Sequence, residues 1–408
     1  MHMNKRDLYL KQIKPFIDKP LIKVITGIRR SGKSIIMKLL KEDFLEREID
    51  ENQIIYLNFE SLEFSDISNA EKLYFYIKDR IVKDKRTYLL LDEIQEVNSW
   101  EKAVNSFLAD FDVDIYLTGS NSRLLSSELA TYLSGRYVEI HLYPLSFSEY
   151  LQFKSARTGI NEFNIQVEFK TFLRMGGFPV LHIAEYPIES AYKIVYDIYS
   201  SAILRDTIQR NKIRDVELLE RVVKFVFDNV GNKFSAKNVA DYFKSQQRKI
   251  DLNTVYNYLN ALESASIIYR IPRYDLAGKE ILKTYEKYFS GDQGIIYSVI
   301  GYKDTMISGV LENIVMLELK RRGFKVFTGK WGEREIDFVA EKNENKIYVQ
   351  VAYKITEQST IDREFKPLLE IKDNHPKYVV TMDEFRKDNI EGVKHVYIAD
   401  FLLMGNWV

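Results

Sequence analysis

An α/β chain built on a parallel-sheet core is what this sequence predicts, and three stretches predict it. Leu21 to Thr26 is an apolar, β-rich run that ends at a glycine loop, Gly27-Ile28-Arg29-Arg30-Ser31-Gly32-Lys33-Ser34. Ile35-Ile36-Met37-Lys38-Leu39-Leu40 follows with helical apolar spacing. Tyr88-Leu89-Leu90-Leu91-Asp92-Glu93-Ile94 is a second apolar strand that ends in acidic residues. Buried strands separated by helices read as a parallel sheet with crossover connections.

The glycine loop carries the chemistry. It fits Gly, four residues, Gly-Lys-Ser, the P-loop pattern. Gly27 and Gly32 allow backbone conformations and a close phosphate approach that a Cβ would block. The N–H groups of the loop and of the helix start, from Ser31 and Gly32 to Ile35, form an anion cradle. Lys33 would reach the β- and γ-phosphates of ATP and the Ser34 hydroxyl would hold Mg²⁺. Arg29 and Arg30 add positive field.

At 408 residues the chain suggests two or three domains of roughly 150 residues each. A hydrophobic fraction of 46% with 29% charged residues is that of a soluble globular protein with material for several cores. The formal net charge of zero removes any global basic field, so nucleic-acid binding must come from local patches. No apolar run approaches a membrane span, and Asn4-Lys5-Arg6-Asp7 lacks the apolar core of a signal peptide, so a cytoplasmic protein with no membrane partner is expected. The absence of cysteine excludes disulfides and thiolate metal sites. His2, His141, His182, His375 and His395 show no ligand spacing and read as structural or surface residues.

In chain order, Asn4 to Ile17 reads as a short amphipathic helix ahead of the loop unit. Gln53 to Phe59 is the next buried strand and Ala70 to Val82 the next helix. The strand ending in Asp92-Glu93 is a Walker B arrangement: Asp92 would hold the Mg²⁺ shell, and Glu93 would polarise the attacking water as general base. Ser99 to Asp110 is helical. Asp114 to Ser122 is a strand and polar turn in the place of a sensor residue; Thr118, Ser120 and Asn121 all qualify, with Asn121 taken as the candidate. Arg136 is the candidate arginine finger, in cis or from a neighbouring copy in a homo-oligomer, because a guanidinium pairs bidentately with phosphoryl oxygens.

These runs, with Leu91-Asp92-Glu93-Ile94-Gln95, Thr118-Gly119-Ser120-Asn121-Ser122, Gly135-Arg136-Tyr137 and Tyr143-Pro144-Leu145-Ser146-Phe147-Ser148-Glu149-Tyr150, resemble one large prokaryotic family of P-loop ATPases. The family joins an AAA-type domain to a C-terminal domain of unknown function related to restriction-endonuclease folds. The resemblance continues through Gly176-Gly177-Phe178-Pro179 to the C-terminus.

Residues 151 to 212 read as helices broken at Gly176-Gly177-Phe178-Pro179, a hinge or tight turn. Tyr192 to Gln209 reads as one long amphipathic helix. From Val216 to Lys283 the pattern is three helices and two strands, with Ser235 capping one helix and Asn253 or Thr254 capping the next. This is a winged-helix pattern, whose functional reading is binding of double-stranded DNA. Its would-be recognition helix, Leu252 to Ser264, has no Lys or Arg; the basic residues Lys244, Arg248, Lys249, Arg270, Arg273 and Lys279 lie outside it.

The last third gives a helix from Leu311 to Arg321 and then strands at Lys325 to Thr328, Glu335 to Ala340 and Lys346 to Tyr353. The layout is similar to the PD-(D/E)xK nuclease core, which needs acids and a lysine to bind Mg²⁺ and activate water. Asp337 and Glu312 fit the acids. Gln350 stands where Glu is expected and Ala352 where Lys is expected, while Lys354 falls on the same strand face two residues on. The expected division is 1–155 for the ATPase core, 156–215 for a helical linker, 216–287 for the winged helix and 288–408 for the nuclease-like domain. The expected activity is Mg²⁺-dependent ATP hydrolysis that drives domain motion, acting on or with DNA. The alternative is a nucleotide-operated switch for protein partners with an inactive nuclease-like domain.

Overall fold

The computed structural model describes residues 4–119, 133, 135–247, 250–355, 358–383 and 389–408. The chain forms two compact units, residues 1–143 with 264–266, and residues 144–263 with 267–408.

In the first unit the elements are α1 (Asp7–Ile13), β1 (Ile22–Thr26), α2 (Lys33–Glu46), β2 (Ile54–Asn58), α3 (Ala70–Lys78), β3 (Thr87–Asp92), α4 (Trp100–Asp110), β4 (Val113–Thr118) and β5 (Tyr137–His141). The five strands form one parallel sheet in the order β2-β3-β4-β1-β5. The loop strand β1 and the acidic strand β3 are therefore separated by β4. Each strand splits its apolar residues between two cores, as a pleat of period two requires. Leu89 and Leu91 enter one core with Trp100, Val104 and Phe107. Tyr88 and Leu90 enter the other with Met37, Leu40 and Phe44. Truncating any of these leucines to alanine costs about 2–5 kcal/mol. The strand ends carry the polar residues, so the sheet is a rigid base for the loops that follow β1, β3 and β4. Helix α3 stops at Lys78, a turn earlier than the Ala70 to Val82 expected from apolar spacing.

The second unit begins with α5 (Phe147–Thr158), α6 (Ile165–Met175) and α7 (Ile188–Ala202), and α7 runs into a π-helical turn, Ile203–Gln209. The expected single long helix therefore changes winding at Ile203. Next come α8 (Val216–Asp228), β6 (Lys233–Phe234), α9 (Ala236–Ser245), α10 (Leu252–Ser264), β7 (Ile268–Asp275) and β8 (Glu280–Ser290). Ser235 caps α9 through the Asn238 N–H at 3.1 Å. The start of α10, at Leu252, is capped by Asp251, which accepts the Asn253 N–H at 2.9 Å, and not by Asn253 or Thr254, which lie inside the helix. The remaining elements are α11 (Gln293–Ile300), α12 (Ile307–Arg321), β9 (Lys325–Trp331), β10 (Arg334–Lys342), β11 (Asn345–Val351), α13 (Gln358–Glu370), β12 (Lys377–Thr381), β13 (Asn389–Ile390), β14 (Val393–Tyr397) and α14 (Ile398–Leu403).

Nine strands of this unit form one mixed sheet, β13-β14-β12-β11-β10-β9-β7-β8-β6. The β7–β8 hairpin is continuous with the later strands through a parallel β7–β9 pairing. Strands β9, β10 and β11 are antiparallel, and β11, β12 and β14 run parallel.

The Gly176-Gly177-Phe178-Pro179 break is a tight turn seated on a buried carboxylate. Asp292, at the N-cap of α11, accepts the Gly177 N–H at 2.7 Å and the Gly294 N–H at 2.8 Å. Gly176 has φ +84°, and a Cβ there would overlap the Asp292 carboxylate.

Candidate nucleotide site and a buried lysine centre

The chain leaves β1 through three positive-φ residues, Gly27 (+138°), Arg30 (+65°) and Gly32 (+104°). A Cβ on Gly27 would overlap the carbonyl oxygen of Leu142, just beyond β5. The turn closes through the Ser31 N–H on the Ile28 carbonyl, and α2 starts with the Ile35 and Ile36 N–H groups on the Gly32 carbonyl. The Lys33 ammonium lies inside the loop, 3.2 Å from the Gly27 carbonyl and 3.3 Å from that of Ile28. Ser31 is fully buried, and its Oγ has no hydrogen-bond partner among the described residues. Arg29 turns to Glu60, at 2.9 Å, and Arg30 is exposed.

One arginine outside the motif supports the loop. Arg6, just ahead of α1, is buried, donates to the Ser31 carbonyl from Nη1 and to the Tyr143 carbonyl from Nη2, both at 2.9 Å. Its guanidinium lies 4.6 Å from the centre of the Tyr9 ring, and the Tyr9 hydroxyl accepts the Tyr143 N–H.

Asp92, the last residue of β3, is fully buried. Burial raises its pKa, opposed by hydrogen bonds from Thr118, Ser34 and Tyr56, while the neighbouring Glu93 adds repulsion. The Tyr56 hydroxyl is 3.1 Å away and the Thr118 hydroxyl makes a short bond. Glu93 is held at φ +55°, with its N–H donated to Thr118 Oγ1 at 2.9 Å. Gln95 Nε2 donates to its carboxylate. Thr118 therefore ties together the two acidic residues of β3 from the adjacent strand β4. Asn121, the sensor candidate, lies outside the described residues, as does Ser120.

Arg136 is placed differently. Strand β5 runs parallel to β1 with Tyr137 opposite Ile22 and His141 opposite Thr26. Arg136 therefore stands at the strand ends opposite the phosphate loop, about 15 Å from it at the usual rise per residue. The cis form of the arginine-finger expectation is corrected: strand direction carries this residue to the far edge of its own sheet.

The residues present fit ATP and Mg²⁺. An unpartnered buried hydroxyl at Ser31, a buried ammonium at Lys33 and a desolvated carboxylate at Asp92 beside Ser34 are groups that a phosphate and a divalent cation would complete.

In the second unit, Glu312 on α12 and Asp337 on β10 do come together, but on a lysine that belongs to none of the sequence motifs. Lys287 on β8 places Nζ 3.0 Å from Glu312, 2.9 Å from Glu335 and 3.0 Å from Asp337. Burial alone would lower the Lys287 pKa, yet the three carboxylates hold it well above the ordinary value. Burial and Asp337 push Glu312 upward against the opposing lysine, while Lys287 and Lys233 bring Glu335 down despite its burial. Gln350 Oε1 accepts the Asp337 N–H at 3.2 Å. Lys354 is exposed beyond the end of β11, its Nζ 5.4 Å from the centre of the Tyr353 ring, so it does not substitute at this centre. The available signal was alternation: Lys287 shares a strand face with the fully buried Phe289.

Residues 19–151 match a family model described as an AAA domain, and residues 166–305 match one described as a domain of unknown function. An uncharacterized protein of Haemophilus influenzae is 38% identical over 402 residues, covering 98% of this chain and 99% of that one. An uncharacterized protein of Methanocaldococcus jannaschii is 31% identical over 404 residues, covering 92% and 86%. Among solved structures, a Walker-type ATPase of Pyrococcus abyssi aligns at 15% identity over 73% of this chain and 96% of its own, with a TM-score of 0.46. The parallel sheet, its glycine loop and the family match define residues 19–151 as an AAA-type domain with a P-loop. The chain belongs to one family with the Haemophilus and Methanocaldococcus proteins. The match over residues 166–305 brings no functional description and does not support the nuclease-like expectation for residues 288–408.

Proposed function

We propose that this chain is a cytoplasmic, Mg²⁺-dependent ATPase whose hydrolytic centre is built from the loop after β1 and the acidic end of β3. The observation that carries the proposal is the joining of Asp92 and Glu93 through Thr118, at the same sheet edge as Lys33 and Ser34. The loop N–H groups and Lys33 bind and orient the β- and γ-phosphates. Ser34 and Asp92 would hold Mg²⁺, which supplies charge neutralisation at those phosphates. Glu93 orients the attacking water and takes its proton, as its fixed backbone keeps the carboxylate at the edge of β3. Arg136 serves a neighbouring copy.

The four-part division at 155, 215 and 287 belongs to this reading, with the second unit as the effector part. The helix–strand–helix–helix–hairpin order from α8 to β8 supports a winged helix acting with double-stranded DNA. A specific observation favours the second reading, a switch for protein partners: Arg270, one of the basic residues of the hairpin, is shared between Glu263 at 3.6 Å and Glu286 at 3.7 Å. ATP turnover with and without double-stranded DNA, for the wild type and Glu93→Gln, tests both. Loss of at least about 100-fold in turnover with ATP binding retained supports the assigned base, and unchanged turnover removes it. Salt-sensitive stimulation by DNA supports the DNA reading, and its absence at low ionic strength leaves the protein switch.

A further inference from the structure

We infer that Lys287 is a tethered cation occupying the metal position of the nuclease-like carboxylate centre, and that it closes this centre to divalent ions. The inference rests on the nuclease-like reading of the second unit.

The hydrogen-bond inventory carries it. An ammonium has three protons to donate, and Lys287 has three carboxylate partners, Glu312 Oε2, Glu335 Oε1 and Asp337 Oδ1, all within 3.0 Å. Of the remaining oxygens, Asp337 Oδ2 accepts the Val351 N–H at 3.0 Å, and Glu335 Oε2 lies 2.9 Å from the Lys233 ammonium as an ion pair without hydrogen-bond geometry. A divalent ion entering here would have to take from Lys287 the three oxygens that hold its ammonium. Lys287 cannot swing away freely, because its side chain is 3% exposed and its strand is paired on both sides, with β7 and with β6.

The lysine also sits where the fold needs positive charge. Three carboxylates gathered from α12 and β10 repel one another strongly in a buried place and require a counter-cation there. In a metal-dependent hydrolase a divalent ion supplies that charge and activates water. Here β8 supplies it covalently, and an ammonium polarises no water. The centre still has an approach: Glu312 lines a polar cleft of about 250 Å³ with Asn232, Thr305 and Ser308. The backbone at Gly231 lies so close that a Cβ there would be 3.0 Å from Glu312 Oε2. The three carboxylates thus meet on the Lys287 ammonium, and among the described residues they are not arranged as a ready metal-ligand group.

The test is Mn²⁺ binding to the nucleotide-free full chain, followed by electron paramagnetic resonance and thermal unfolding. The wild type is expected to bind no Mn²⁺ that Asp337→Asn abolishes, and to show no metal-dependent shift in Tm. Lys287→Met is expected to gain one Mn²⁺ per chain, weakened about tenfold or more by adding Asp337→Asn. Saturating Mn²⁺ should raise the Tm of Lys287→Met by about 5 °C. If Lys287→Met does not fold, Lys287→Met with Glu312→Gln removes one charge of each sign and keeps Glu335 and Asp337 as ligands. Asp337-dependent Mn²⁺ binding by the wild type would overturn the inference and leave the nuclease-like reading standing. No binding by any folded Lys287 variant would overturn both, because the carboxylates would then be an ion-pair core only.

Discussion

Thr118 accepts the Glu93 backbone N–H at 2.9 Å and gives its own hydroxyl proton to Asp92. One oxygen on β4 thus fixes the direction in which the chain leaves β3. Replacing it with valine keeps the shape and removes both bonds. Thr118→Val should lower ATP turnover by about 10- to 100-fold with little change in KM, and Thr118→Ser should retain most of it. Steady-state ATPase assays of the two variants check this; equal loss in both would show that the methyl packing matters rather than the hydroxyl.

The close approach of β1's exit to Leu142 sets a second expectation. Gly27→Ala places a methyl group onto a carbonyl oxygen at a φ that side chains rarely adopt. Nucleotide binding should be lost, with destabilisation of about 2–4 kcal/mol in chemical denaturation. Normal binding of a fluorescent ATP analogue would contradict the assigned geometry.

Arg6 lies outside every motif yet bonds the loop. Arg6→Ala leaves two buried carbonyls without their donor and should cost about 2–3 kcal/mol. Arg6→Lys keeps the charge but cannot reach both carbonyls with one planar fork. It should raise the KM for ATP several-fold, which titration of initial rates would show.

The position of Arg136 makes its role a matter of assembly. Mixing Arg136→Ala with Lys33→Ala should restore turnover above that of either variant alone if the guanidinium serves a neighbour. Turnover of Arg136→Ala at wild-type level in every mixture would assign the residue to the surface.

Asp292 gives a pH dependence with a definite sign. Burial raises its pKa to about 7 against the two N–H groups of Gly177 and Gly294. The folded state then binds the proton more tightly than the unfolded chain does. This contribution is full below about pH 4, the ordinary carboxylate range, and is lost as pH rises through about 7. The wild type should therefore lose up to ~4 kcal/mol across that window through this group, and Asp292→Asn should flatten that part of the profile. Urea denaturation of both proteins at several pH values measures the difference.

Four of the five strands of the first unit were legible because each is dominated by apolar residues, and the loop because its glycines and lysine have fixed spacing; β5 was not read, since Glu139 and His141 break its apolar pattern. Its sheet order follows less directly: only the paired register shows β4 between β1 and β3. Long-range partners could not be read. Arg6 and Ser31 are far apart in sequence, Asp292 reaches back across more than a hundred residues to Gly177, and nothing local marks either contact. Lys287 was hidden for another reason. The nuclease pattern puts its lysine on β11, whereas the cation comes from β8, two strands beyond β9 in the sheet. Arg136 shows the converse: its residue type suggested phosphate chemistry, and strand direction alone determined which sheet edge it occupies.

The two carbonyls bonded by Arg6 belong to the tip of the phosphate loop and to Tyr143, the last residue before the chain enters its second unit. A guanidinium is rigid and planar, so these two points keep a fixed separation as long as both bonds hold. The phosphate loop and the chain's point of departure therefore behave as one mechanical part. A shift of the loop tip is passed to Tyr143 through the guanidinium as well as through the sheet, and breaking either Arg6 bond leaves only the path through β1 and Leu142.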